Sequence, residues 1–358
     1  MAVTIRGKTL SVPVLQGGMG IGVSLDRLAG AVASCGAMGT ISAALPGVGE
    51  PGFDRDPKGV SLEALERQVR RAKEKAAGAG LVAVNVMVAS AQYAECVATA
   101  LKAGADAIVC GAGLPKDLPA IAAQVPESDA ALAPIVSSGR AAALICKLWE
   151  RRSGRLPDFM VLEGPLAGGH LGFSREEAKE GRQTLGELLQ DVLQALAPFK
   201  EKCGRDIPVF VAGGIRDGYE MARYMRQGAA GAQFATRFIT TQECDASDGF
   251  KQALLSAEEE DITIVQSPVG MPGRALRSPL IERVEAGMQP GPQKCVRCLT
   301  ACEQKKAPYC ISRALVDAVR GDWENGLFFC GANAGHKRKI TTVKAEIEEI
   351  MSQWRNSQ

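Results

Sequence analysis

A closed (β/α)8 barrel of the α/β class, followed by a C-terminal cysteine-rich extension, is the fold this sequence predicts. Three observations carry it. Short apolar runs alternate with helical patterns at even spacing, and eight such strands can be counted. Near-continuous apolar strands, each followed by a helix, mark a parallel sheet covered on both faces. Glycine or polar residues end most of these strands, as a ring of loops around one mouth requires. A doubly wound open sheet is the competitor, but no G-x-G-x-x-G follows the first strand: Gln16-Gly17-Gly18-Met19-Gly20-Ile21-Gly22 has the wrong spacing.

The strands are expected at 12–15, 38–42, 81–88, 107–110, 134–137, 159–162, 209–212 and 231–235. Helices are expected between them at 24–34, 61–77, 91–103, 140–152, 184–200 and 217–226, with Ser24, Ser61 and Asp217 as N-caps. Residues 45–59, rich in Gly, Pro and Asp, read as an extended loop after the second strand. Beyond residue 261 come a strand-like run at 262–265, a cysteine cluster and a helix near 342–354. The expected organisation is a barrel over 1–260 and an extension over 261–358 packed on it.

Composition narrows the class. The chain has 358 residues, 46% hydrophobic and 23% charged, enough to bury a large core without disulfides. A net charge of +2 gives no reason to invoke nucleic acid or an anionic membrane. No secretory signal and no run of about 18–20 apolar residues is seen, so a cytoplasmic location is expected. The surface of a barrel is compatible with a monomer or a homodimer.

The segment Glu163-Gly164-Pro165-Leu166-Ala167-Gly168-Gly169-His170 directly follows the sixth strand. Its glycines let backbone approach a flat ligand, and His170 then sits where it can move a proton near neutral pH. The chain has only two histidines. The other, His336, lies in the polar stretch Gly335-His336-Lys337-Arg338-Lys339 and is expected to be exposed. Ala212-Gly213-Gly214-Ile215 ends the seventh strand and Gln233-Phe234-Ala235-Thr236 the eighth. Loops at these two places commonly build a phosphate site from backbone N–H groups, and Thr236 adds a hydroxyl. Glu163, at a strand end, is suited to orient either a cofactor or His170. Arg274 and Arg277 are expected mostly in solvent, with an anionic substrate arm as the alternative.

Eleven cysteines are many for such a chain. Cys35, Cys96, Cys110, Cys146, Cys203 and Cys244 read as buried packing thiols. Cys295, Cys298, Cys302 and Cys310 crowd together in the extension. Four thiols so close in sequence suit a 4Fe–4S cluster first, structural zinc second and free thiols third.

Gln16-Gly17-Gly18-Met19, Gly168-Gly169-His170, Ala212-Gly213-Gly214-Ile215 and Ala235-Thr236-Arg237-Phe238 resemble the signature segments of the FMN-dependent nitronate monooxygenase superfamily, which also holds FMN-dependent enoyl-acyl-carrier-protein reductases. The resemblance implies a TIM barrel with FMN at the strand C-termini. It places Gly17, Gly18 and Met19 against the flavin and Asn85 in a hydrogen bond to it. Gly213, Gly214, Gln233, Ala235 and Thr236 would cradle the phosphate, and Glu163, Gly169 and Ala212 complete the cofactor contacts. His170 matches the catalytic histidine. Ala235 stands where family members commonly have glycine.

Glu243-Cys244-Asp245-Ala246, Ser267-Pro268-Val269-Gly270-Met271-Pro272-Gly273-Arg274-Ala275 and Tyr309-Cys310-Ile311 resemble one bacterial branch, the acyl-carrier-protein dehydrogenase/isomerases that carry FMN and a 4Fe–4S cluster. The expected function is therefore an FMN oxidoreductase acting on an acyl thioester, small or linked to acyl carrier protein. Nitronate monooxygenation and NAD(P)H-dependent enoyl reduction are the alternatives, and a non-catalytic flavin- or metal-binding barrel is the remote one.

Overall fold

A computed structural model of the chain describes residues 2–181, 183–291, 295–303, 305–336 and 339–357. A hairpin of β1 (Val3–Ile5) and β2 (Lys8–Leu10) precedes the barrel. The parallel barrel strands are β3 (Val14–Gln16), β4 (Met38–Ser42), β5 (Leu81–Met87), β6 (Ala107–Gly111), β7 (Ala131–Val136) and β8 (Met160–Glu163). After a two-residue strand outside the ring, β9 (Gly169–His170), come β10 (Val209–Ala212) and β11 (Gly231–Phe234). The ring closes because β11 pairs in parallel with β3.

The expected eight strands are present, with β7 starting three residues before Pro134. Inside the ring, Leu15, Met38, Val109, Phe159, Val161 and Phe210 pack together, and Ile5 and Leu10 of the hairpin join them. Phe159 and Phe210 meet edge to face at 5.9 Å.

The helices that follow the strands are α1 (Asp26–Ser34), α2 (Pro57–Ala76), α3 (Tyr93–Lys102), α4 (Leu118–Ala122) and α5 (Gly139–Ser153). A short α6 (Arg175–Glu180) precedes α7 (Leu185–Cys203) and α8 (Gly218–Arg226). Asp217 caps α8 as expected, accepting from Glu220 N at 2.9 Å. The other two caps differ. Ser24 Oγ accepts instead from Met19 N at 2.8 Å, and the start of α1 is held by Asp245, which accepts from the N–H groups of Leu25 and Leu28. Ser61 lies inside α2, because Asp56 caps that helix and Pro57, with φ already set for a helix, opens it four residues sooner.

The eighth βα unit is interrupted. After β11 come α9 (Thr236–Ile239), α10 (Asp248–Ser256), β12 (Ile262–Gln266), β13 (Pro272–Leu276), α11 (Pro279–Glu285) and α12 (Ile311–Val319). The last helix, α13 (Val343–Arg355), packs against α8 and α1 and so takes the eighth place in the helical ring. Where the excursion leaves and returns, Thr241 and Thr341 form a parallel bridge, with Gln242 N donating to Thr341 O at 2.9 Å. The excursion has its own small core, including Val265, Leu280, Ile281, Tyr309, Ile311 and Leu327. Its β13 pairs antiparallel with both β12 and β9. No helix among the described residues is long and apolar enough to cross a membrane.

Cys96, Cys110, Cys146 and Cys244 are buried, as packing thiols should be. Cys203, at the solvent-facing end of α7, is exposed, and Cys35 is half-buried.

Candidate active site

The carboxyl ends of the strands and the excursion enclose a cavity of about 310 Å³, within the range of small-molecule sites. The residues that the sequence assigned to a flavin lie together on its wall. Gly17, Gly18 and Met19 follow β3, Asn85 is near the end of β5, Glu163 closes β8, and Gly169 and His170 form β9. Ala212, Gly213 and Gly214 end β10, and Gln233, Ala235 and Thr236 end β11.

Much of that wall is bare backbone. A Cβ on Gly18 would lie 2.4 Å from Asn85 Cβ. Gly213 and Gly214 have φ of +90° and +85°, and a Cβ on Gly214 would meet Leu166 Cβ at 2.8 Å. Only glycine meets both demands, a left-handed φ and so close an approach. Between these glycines Asn85 makes one long contact, Nδ2 to Val109 O at 3.4 Å, and the Glu163 carboxyl has no protein partner among the described residues. Cavity-facing amide and carboxyl groups above a glycine floor fit the ring edges and phosphate of FMN.

His170 is placed by sheet pairing. It stands opposite Gly273 in the β9–β13 register, and its ring meets Phe329 edge to face at 5.1 Å. Its Nε2 lies 2.8 Å from Oγ of the buried Ser267, which also accepts from Val269 N at 3.3 Å. Burial pushes the imidazole down to about 4, so it is neutral at pH 7. In the tautomer whose Nε2–H donates to Ser267 Oγ, Nδ1 of this neutral ring is the nitrogen that can accept a proton. Burial acts oppositely on Glu163, pushing its carboxyl up to about 8. At pH 7 Glu163 is thus a protonated acid that can donate a hydrogen bond into the cavity.

Arg274 is not in solvent. It is buried, and its guanidinium donates to Pro165 O at 2.6 Å, Ala167 O at 2.7 Å and Ala178 O at 3.2 Å. It therefore ties down the loop on both sides of His170. Arg277 is exposed, as expected, and pairs with Glu285 at 2.6 Å. His336 is exposed as expected, at the cavity mouth; Lys337 and Arg338 of the same stretch lie outside the described residues.

The reading from sequence missed what the excursion brings to the wall. Gly331 N donates to Thr236 Oγ1 at 2.9 Å, and Asn333 Nδ2 donates to Gly214 O at 2.6 Å. Ser267 and Phe329 were likewise unassigned. Ser267 opens the Ser267–Ala275 motif, so a signal existed, but only the β9–β13 pairing shows that it meets His170.

The expected iron–sulfur centre is not supported. Among the described residues no three His, Cys, Asp or Glu side chains converge as a metal site. Cys295 is exposed, whereas Cys298, Cys302 and Cys310 are half-buried. The sulfurs are close enough for Cys295, Cys302 and Cys310 to raise the Cys298 thiol, but burial is the larger cause. Ser312 Oγ donates to Cys298 Sγ at 2.8 Å, so that sulfur is engaged within the protein.

The family model described as nitronate monooxygenase matches residues 4–353. A Mycobacterium tuberculosis protein, (3aS,4S,5R,7aS)-5-hydroxy-7a-methyl-1-oxo-octahydro-1H-indene-4-carboxyl-CoA dehydrogenase, is 30% identical over 275 residues, which cover 77% of this chain and 66% of that one. A Staphylococcus saprophyticus protein named "Probable nitronate monooxygenase" is 30% identical over 129 residues, 36% of this chain and 34% of the relative. The chain thus matches less than two thirds of the length of either. Among solved structures, FabK from Thermotoga maritima superposes with a TM-score of 0.71 at 24% identity, covering 97% of this chain and 94% of that one. Nitroalkane oxidase from Streptomyces ansochromogenes superposes with 0.74 at 18% identity, covering 97% of both. These two likenesses bear on the fold, a barrel shared throughout.

Proposed function

We propose, on the premise that this chain belongs to the nitronate monooxygenase family, that it is an FMN-dependent oxidoreductase acting on an acyl thioester, with His170 as its acid/base. One observation carries the reading: the flavin-assigned glycines and polar side chains share a single cavity wall with a neutral, serine-bonded histidine. FMN, when bound, would accept or donate a hydride or electrons at its ring.

The chain's own residues supply the rest. Gly17, Gly18, Gly213 and Gly214 admit the cofactor against backbone. Asn85, Gln233 and the protonated Glu163 offer its ring and side chain hydrogen bonds, and Thr236 offers its hydroxyl to the phosphate. His170 takes the proton from the acidified C–H beside a thioester carbonyl, or returns one in the reverse direction. Ser267 and Phe329 fix the ring for that transfer, and Arg274 holds its loop.

Two features support the thioester. The relative with the broader match is named for a carboxyl-CoA substrate. The excursion also lines the cavity with Leu299, Ile311, Leu315 and Leu327, apolar surface suited to an acyl chain. Nitronate oxidation is the second reading, favoured by the family's own description.

An anaerobic screen separates them. Purified holoenzyme is mixed in turn with acyl-CoA, acyl-carrier-protein thioesters, alkyl nitronates and NAD(P)H while flavin absorbance is followed. Bleaching by thioesters supports the proposal, and bleaching by nitronates alone replaces it with the second reading. His170→Ala should retain FMN while turnover falls roughly 10²-fold or more.

A further inference from the structure

The last helix of the chain grips both loops at the expected phosphate end of the cavity. Arg237, directly after Thr236, has a side chain only 8% exposed and is ion-paired through Nε to Glu346, whose side chain is 1% exposed. Its Nη2 lies 2.7 Å from Glu349 Oε2, and its Nη1 donates to Arg216 O at 2.7 Å. Arg216 belongs to the loop after β10 and Arg237 to that after β11, and both border the cavity. One guanidinium thus staples the two loops to each other and to α13. A second tie runs parallel to it: Gly218 N, at the start of α8, donates to Gln353 Oε1 at 2.9 Å. The two elements touch so closely there that a Cβ on Gly218 would lie 1.9 Å from Ile350 O. The other oxygen of Glu346 accepts from Thr341 Oγ1 at 2.7 Å, at the point where the excursion rejoins the barrel.

The carboxylates have a consequence for Arg237. Nε and Nη1 of this guanidinium are committed to Glu346 and to a carbonyl, and its buried Nη2 is ion-paired with Glu349 without a hydrogen bond, so the group mainly fixes backbone and its role at the phosphate end is geometric. We propose that Glu346 is a positioning residue for cofactor binding: through Arg237 it sets the spacing of the Gly213–Arg216 and Ala235–Arg237 loops, and so the affinity for the phosphate of FMN. This rests on the FMN reading given above and adds to it a residue more than a hundred positions beyond the phosphate loops.

Riboflavin, which lacks the phosphate, provides the control. Apoprotein is titrated with FMN and with riboflavin, following flavin fluorescence, for wild type, Glu346→Gln and Glu349→Ala. Loss of positioning should raise the FMN Kd of Glu346→Gln about tenfold or more while leaving the riboflavin Kd unmoved. Glu349 is 45% exposed, so Glu349→Ala tests the same grip without emptying a buried site and should shift the ratio of the two affinities in the same direction by a smaller factor. An unchanged ratio in both variants overturns the proposal, whether affinity is kept for both flavins or lost equally for both. So does tighter FMN binding by Glu346→Gln, which would make Arg237 a phosphate ligand restrained by its carboxylates. Wild-type apoprotein that quenches neither flavin would defeat the FMN reading itself, a separate result.

Discussion

His170 Nε2 and Ser267 Oγ lie 2.8 Å apart although 97 positions separate them in the chain. The bond exists because β13 pairs with β9, so the excursion, not the barrel, orients the proposed acid/base. Ser267→Ala removes the only hydrogen bond to that ring among the described residues while leaving its packing against Phe329. Turnover of whichever substrate bleaches the flavin should fall about fivefold with KM little changed, since one neutral hydrogen bond is worth about 1 kcal/mol. Steady-state kinetics of the variant check this, and an unaltered kcat would show that sheet pairing alone holds the ring.

Arg274 is a buried cation whose bonds run to three main-chain carbonyls. Arg274→Met keeps the volume and leaves those carbonyls unpaired, so about 2–3 kcal/mol of stability should be lost. Arg274→Lys should recover only part, because an ammonium cannot reproduce the planar fork that reaches all three oxygens. Urea unfolding of the three proteins measures both differences. The expected order is wild type, then lysine, then methionine.

These two residues show what was legible in the sequence. His170, Glu163 and the glycines of the wall could be read because each sits beside a strand end, where local apolar runs fix the barrel register and hence the direction in which the loop opens. Ser267, Phe329 and Gly331 could not, since their positions follow from the excursion folding back over the mouth, and Glu346 could not, since α13 joins the helical ring only after that excursion returns. Arg274 was read as mostly solvated from residue type alone. Its burial depends on three carbonyls that no pattern in the sequence reveals. The same holds for α1: Ser24 has the right residue type for a cap, but Asp245, reached through the excursion's first turn, supplies the carboxylate. The cysteine spacing suggests a cluster, yet among the described residues the neighbouring sulfurs do not converge as a metal site.

Stability should depend on pH through the two cavity groups, with opposite signs. Glu163 is raised to about 8 in the folded protein against an ordinary 4.5. Its contribution is fully present below the unfolded value and is lost as pH rises through about 8. His170 is lowered to about 4 from 6.5, so the folded state binds fewer protons and stability increases as pH rises from about 4 to 6.5. The two slopes oppose one another between about 4.5 and 6.5, so the apoprotein should be most stable near pH 5–6, with Tm falling on either side. Glu163→Gln should flatten the alkaline fall and leave the acid side alone. Thermal melts of both apoproteins between pH 4 and 9 test it, and a parallel alkaline decline would assign that slope to other groups.

The arrangement of the cysteines makes a last prediction about reactivity. Thiolate is the reactive form, and burial pushes Cys96, Cys110, Cys146, Cys244 and Cys330 up to about 12. Cys203 and Cys295 are exposed. Brief alkylation of the folded protein at pH 7.5, read by peptide mass spectrometry, should label Cys203 and Cys295 first and the five buried thiols only after unfolding. Cys298 borders the cavity, so its labelling should slow when FMN is added. Iron measured on the same sample separates the alternatives. A bound cluster would ligate Cys295, Cys298, Cys302 and Cys310 and protect all four while Cys203 still reacts. Rapid labelling of Cys295 in an iron-free preparation matches its exposed position.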